Sequence, residues 1–121
     1  MPRREEALKL DPERLAALCI EIDEARAPDV LAAAMQEISD TVQRARHLQR
    51  HGRLAELALC ADRVARIAEP MGLAGLARVA CDVAALSRAG DPAALAATLE
   101  RLDRIASRSA RVVWLLQEVS G

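Results

Sequence analysis

The sequence predicts an all-α protein: an antiparallel up-down four-helix bundle with an additional short helix at the N-terminus. Three observations carry that expectation. Of 121 residues, 26 are alanine and 17 leucine, which favour helix over sheet. One Trp and no Phe or Tyr leave a β-sandwich without its usual core residues. Finally, Pro, Gly and Asp cut the chain into five helical segments with connections of a few residues, and such short connections make sequential helices antiparallel neighbours.

Each segment has its own stereochemical signals. Asp11-Pro12 pairs a capping side chain with a ring whose fixed φ suits a first helical turn. Leu15, Leu18, Cys19 and Ile22 then recur at helical spacing to about Ala25, and Pro28 is read as the stop. Asp29 is read as the cap of a second helix running to about His51, with Val30, Ala34, Ile38, Val42, Ala45 and Leu48 on one stripe. Gly52 is the expected left-handed residue that ends it. A third helix, about Arg53 to Ala68, gathers Leu54, Leu57, Ala58, Ala61, Val64, Ala65 and Ala68 on its apolar face, and Pro70 is expected to take Glu69 out of helical conformation. After the Pro70-Met71-Gly72 corner, Leu73, Leu76, Ala77, Ala80, Val83, Ala84 and Leu86 outline a fourth helix closed by Gly90. Asp91-Pro92 repeats the cap-plus-proline start. The fifth and longest helix follows Leu95, Leu99, Leu102, Ile105, Ala106, Ser109, Val112, Val113, Leu116 and Val119. The chain is thus one domain, 1–121, with an N-terminal extension over 1–28 and the bundle over 29–119.

Composition narrows the function. With 17 basic and 18 acidic residues the net charge is −1, so no global field attracts a polyanion. The missing aromatics also remove stacking platforms for single strands, and nucleic acid is not an expected partner. No apolar run approaches the ~20 residues that cross a bilayer, and MPRREEALKLDPER lacks the apolar core of a signal peptide; the expectation is a soluble cytoplasmic protein without a membrane partner. Lys9 is the single lysine, and the arginine bias is read as the mark of a GC-rich genome, a bacterial one, before any need for bidentate anion contacts. Cys19, Cys60 and Cys81 form no CxxC or Cys/His ligand pattern and are expected to be small core residues.

Catalytic signatures are missing: no Gly-rich phosphate loop, HExxH, GxSxG or ExxH pair occurs. No enzyme activity, cofactor or metal is expected. His47 and His51 stand at i and i+4, a spacing that suits either a metal or, the preferred reading, solvated imidazoles at the negative end of a helix. The run Val112-Val113-Trp114-Leu115-Leu116 cannot all face one core. Part of it must meet the N-terminal helix, solvent or a second chain, with Trp114 the natural anchor of a homodimer through the first or last helix.

The third helix is the informative one. Its 100° rotation per residue puts Leu59, Asp62, Arg63 and Arg66 opposite the apolar stripe. Asp62 is then an exposed mid-helix carboxylate at a position costing a few tenths of a kcal/mol against Ala. An i,i+4 pair with Arg66 is the simplest explanation.

From Gly52 to Asp91 the chain reads GRLAELALCADRVARIAEPMGLAGLARVACDVAALSRAGD. Gly52 opens the helix, Met71-Gly72 forms a corner, Leu73-Ala74-Gly75-Leu76-Ala77 begins the next helix and Gly90-Asp91 closes it. This order resembles the histidine-containing phosphotransfer (HPt) domain of multistep phosphorelays, whose members carry the phosphorylatable His in an HxLKG-like motif, and the spacing needs no gap. The position matching that His, ten residues after Gly52 and ten before Gly72, holds Asp62. Val64 keeps the apolar position, whereas Ala65 stands for the usual Lys and Arg66 for the usual Gly.

The resemblance implies an HPt-type bundle that has lost its phosphoacceptor, since Asp62 supplies a weak nucleophile whose acyl phosphate is labile and Arg66 adds bulk where a receiver would approach. It implies a non-catalytic partner of a receiver domain or histidine kinase, docking through Leu59, Asp62, Arg63 and Arg66, with Arg44 and Gln43 on the preceding helix. His47 and His51 are poor substitutes, because the antiparallel turn leaves Asp62 about 15 Å along its helix. A structural or dimerisation bundle, and phosphotransfer through a non-standard acceptor, are the alternatives.

Overall fold

Three glycine corners separate four helices in a computed structural model of the chain, which describes residues 27–120. These are α1 (Ala27–Arg50), α2 (Leu54–Ala68), a 3-10 turn (Glu69–Met71), α3 (Ala74–Ala89) and α4 (Pro92–Ser120). The helix expected between Asp11 and Ala25 lies outside the described residues.

The corners share one device. Gly52, Gly72 and Gly90 have φ of 68°, 76° and 72°. The amide after each donates to the carbonyl five residues back: Arg53 to Leu48 at 2.9 Å, Leu73 to Ala68 at 3.2 Å and Asp91 to Leu86 at 3.4 Å. This six-to-one bond ends a helix and reverses the chain. After the last corner, the amide of Ala94 donates to Asp91 Oδ1 at 3.1 Å, the cap that Asp91-Pro92 predicts. A Cβ added to Gly90 would meet nothing within 4 Å, so Gly90→Ala isolates the backbone penalty. We expect a loss of about 1–2 kcal/mol in urea unfolding; an unchanged midpoint would mean that the corner relaxes to negative φ.

Each helix packs on its chain neighbours and α4 returns to α1, so the four form a closed ring with little diagonal contact. The most extensive pair is α2 with α3. Both helices bury many small residues, Ala58, Ala61 and Ala68 on α2 and Gly75, Ala77, Ala80 and Ala84 on α3. Larger side chains fill the centre, among them Ile38, Val42, Leu57, Val64, Leu76, Leu102 and Ile105. Buried Ser87 donates to the Val83 carbonyl at 2.8 Å. Among the described residues no buried side-chain polar atom lacks a partner, and no helix is long and apolar enough to cross a membrane.

Four expectations are corrected. Helix α1 begins at Ala27, so Pro28 sits in its first turn, and Asp29 lies within that turn instead of capping it. Proline is tolerated there because the first amides have no intrahelical acceptor. Val30 is 40% exposed, and Leu31 and Met35 take the buried places at that end; with Ile38 and Val42 they continue one i, i+4, i+7 stripe. Glu69 keeps right-handed helical angles, φ −57° and ψ −53°, and its amide still donates to the Ala65 carbonyl. Pro70 instead tightens the chain into the 3-10 turn that follows. Cys81 is exposed, because position 81 falls on the outer side of α3 with Arg78 and Asp82, whereas Cys60 is half-buried against the core as expected; Cys19 lies outside the described residues.

Candidate functional site

Asp62 and Arg63 are consecutive, and α2 turns them to opposite flanks. Arg63 reaches back to α1, donating from Nε to Glu37 Oε2 at 2.9 Å and also from Nη2. Asp62 faces α3 and accepts from both ends of one guanidinium: Arg88 Nη2 to Oδ2 at 2.5 Å and Nη1 to Oδ1 at 3.5 Å. Both pairs join residues 26 positions apart. Mid-helix α2 is thus tied to both of its neighbours at one level of the bundle.

The expected Asp62–Arg66 pair does not form. Arg66 is exposed and makes no hydrogen bond or ion pair among the described residues. The carboxylate bends toward α3 instead, which leaves its side chain only 32% exposed. The hydrogen bond from Arg88 holds its pKa below the ordinary Asp value; partial desolvation pushes the other way, and the positive fields of Arg88 and Arg66 add to the lowering. Asp62 therefore stays ionised through the neutral range; its hydrogen bond raises the pKa of Arg88, and the hydrogen bond to Glu37 raises that of Arg63.

The sign of the pH effect follows. A carboxyl whose folded pKa lies below its unfolded one, about 3.9, stabilises the fold above that unfolded value and loses the contribution as pH falls through the folded pKa. Asp62→Asn should lower the melting temperature modestly at pH 7, and the gap from wild type should close below about pH 4. A constant gap down to pH 2 would show that the carboxylate charge contributes nothing.

Leu59 lies one turn before this pair of ties and is 64% exposed. Arg63, Arg66 and Ala55 are the other exposed residues of that surface. Arg44 is exposed on α1, seven residues and two turns beyond Glu37 on the same helix face. Gln43 is not part of the group. It donates to Asp103 on α4 at 3.3 Å, where Arg46 also binds Asp103 and reaches Glu100 at 3.4 Å. The structure thus groups Leu59, Asp62, Arg63 and Arg66, places Arg44 on their α1 side and turns Gln43 toward the opposite seam. Sequence reasoning missed Glu37 and Arg88, because nothing local marks a partner from another helix.

His47 and His51 are both exposed, with ring centroids 4.3 Å apart. His51 follows the last residue of α1, and its Nδ1 lies 2.9 Å from the His47 carbonyl oxygen, placed to donate to an end-of-helix acceptor. Among the described residues no three His, Cys, Asp or Glu side chains converge to hold a metal ion.

No protein-family model matches the chain, and no curated protein or solved structure matches it.

Proposed function

We propose that the chain is a non-catalytic, HPt-like signalling module that docks a receiver domain or histidine kinase through the solvent face of α2 and passes on no phosphoryl group. The Asp62–Arg88 pair is the observation that carries this reading. A phosphoacceptor must present a free nucleophilic atom to the donor. Here the side chain at the position matching the family's histidine is a carboxylate already held at both oxygens by Arg88. Its attack on an aspartyl phosphate would have to break that pair, bring two anions together and yield a labile acyl phosphate.

What remains is a surface suited to recognition. Leu59 offers an exposed apolar centre, and Arg63 and Asp62 carry opposite charges held in register by Glu37 and Arg88. Fixed charges around an apolar residue favour specific docking, because little side-chain freedom is lost on binding. Arg66 is left as a cation facing outward.

The test is transfer and binding with phosphorylated receiver domains from the same genome. Wild type should bind a receiver or slow its dephosphorylation without becoming labelled, and Leu59→Asp should weaken binding tenfold or more, about 1.4 kcal/mol, without lowering the melting temperature. Asp62→His with Arg66→Gly should gain label. Phosphate uptake by wild type would overturn the reading of Asp62, and failure to bind any receiver would leave the structural bundle as the better account. That second reading draws on Trp114 and Leu115, exposed at 60% and 58%, and predicts a dimer by light scattering.

A further inference from the structure

The C-terminal end of α1 brings together the two histidines of the chain. His47 and His51 are both exposed and one helical turn apart, with ring centroids separated by 4.3 Å. The turn that holds them continues past the end of the helix, because the His51 amide donates to the carbonyls of His47 and Leu48 at 3.3 and 3.2 Å. His51 Nδ1, 2.9 Å from the His47 carbonyl oxygen, carries the proton of that contact, since a carbonyl only accepts. The lone pair of the neutral ring is therefore on Nε2, on the other side of the ring.

We propose that His47 and His51 form a two-imidazole site for an exchangeable divalent transition-metal ion of square-planar or octahedral preference, Ni²⁺ or Cu²⁺. Imidazoles four residues apart on one helix face can share an ion. A ring nitrogen that donates to a backbone carbonyl is the usual device that fixes the tautomer and orientation of a metal-binding histidine. The ring spacing selects the geometry. Two imidazoles bound at about 2.0–2.1 Å have centres about 4.5 Å apart at adjacent corners of a square or octahedron and about 5 Å apart in a tetrahedron. The spacing of 4.3 Å matches the first arrangement. Among the described residues no third ligand joins them, so water completes the shell and the ion exchanges. Exposed Arg44 and Arg50 oppose a cation here, whereas the carbonyls that end α1 carry the negative end of its dipole and attract one. The pair stands apart from Asp62, about 15 Å along α2, and does not depend on the docking reading.

Ni²⁺ added to the untagged full chain is the test. Octahedral Ni²⁺ is paramagnetic, and every histidine ring signal in a proton spectrum belongs to this pair. Substoichiometric Ni²⁺ should broaden the signals of both rings together. The Trp114 indole signals should stay sharp, since Trp114 shares a groove with Gln36, about 16 Å back along α1 from His47. Calorimetric titration should find one histidine-dependent ion per chain, and His47→Gln and His51→Gln should each weaken it by about tenfold or more, because chelation needs both rings. Both positions are exposed, so the variants should keep the metal-free melting temperature; saturating Ni²⁺ should raise it in wild type and in neither variant. Zn²⁺ should show the smaller histidine-dependent affinity. Losses of twofold or less in the single variants would overturn the proposal, because the rings would then bind singly. So would undiminished binding in the double variant, which would assign the ion to cysteines or surface carboxylates. A larger histidine-dependent affinity for Zn²⁺ would overturn the assigned geometry.

Discussion

Leu102→Ala should destabilise the bundle by about 2–5 kcal/mol, a large part of the roughly 5–15 kcal/mol that holds a small domain folded. Leu102 is fully buried on α4, in the same apolar cluster as Ile38, Val42, Leu76 and Val83, which α1 and α3 supply. Truncation removes the transfer free energy of three carbons and leaves a cavity between helices whose spacing is set by many other contacts. Partial collapse decides where in the range the value falls. Urea unfolding with an unchanged slope is the measurement, and a loss below about 1 kcal/mol would mean that the site repacks freely.

Ala61→Leu tests the opposite limit. Ala61 is fully buried on α2, next to Asp62 in the chain and on the side that packs into the ring. Small residues set the approach of α2 to its neighbours, so three added carbons have no space to enter and should cost about 1–3 kcal/mol. The larger consequence is at the surface. If α2 is pushed outward, Arg63 loses Glu37 and Asp62 loses Arg88, so the effect of Asp62→Asn on the melting temperature at pH 7 should vanish in the Ala61→Leu background. Such coupling between contacting sites is what a double-mutant cycle reads. Persistence of the full effect would show that the ion pairs do not depend on close helix packing.

Much of the architecture is legible in the residues alone. Helix content, the order of elements, the glycine corners at 52, 72 and 90 and the cap at Asp91 are local matters: each rests on side-chain bulk, a fixed φ or a bond spanning five residues or fewer. The stripes of α2 and α3 are equally plain, because periodicity needs no knowledge of the partner helix. The same locality explains the errors. Val30 and Leu31 are adjacent and equally apolar, so the choice between them depends on where the neighbouring helices lie, and Cys81 shares its hydrophobicity with residues that face inward.

The candidate site divides in the same way. That Leu59, Asp62, Arg63 and Arg66 occupy the outer side of one helix follows from a rotation of 100° per residue, and the sequence determined it. Which cation holds Asp62 did not follow: Arg66 was close in the chain and Arg88 lay 26 residues away. Only the packing of α2 between α1 and α3 decided it, turning Asp62 to one seam and Arg63 to the other. The physical reason is that periodicity sets the direction of a side chain about its own axis, whereas ion pairing depends on the distance between axes, which the buried alanines of two helices set together.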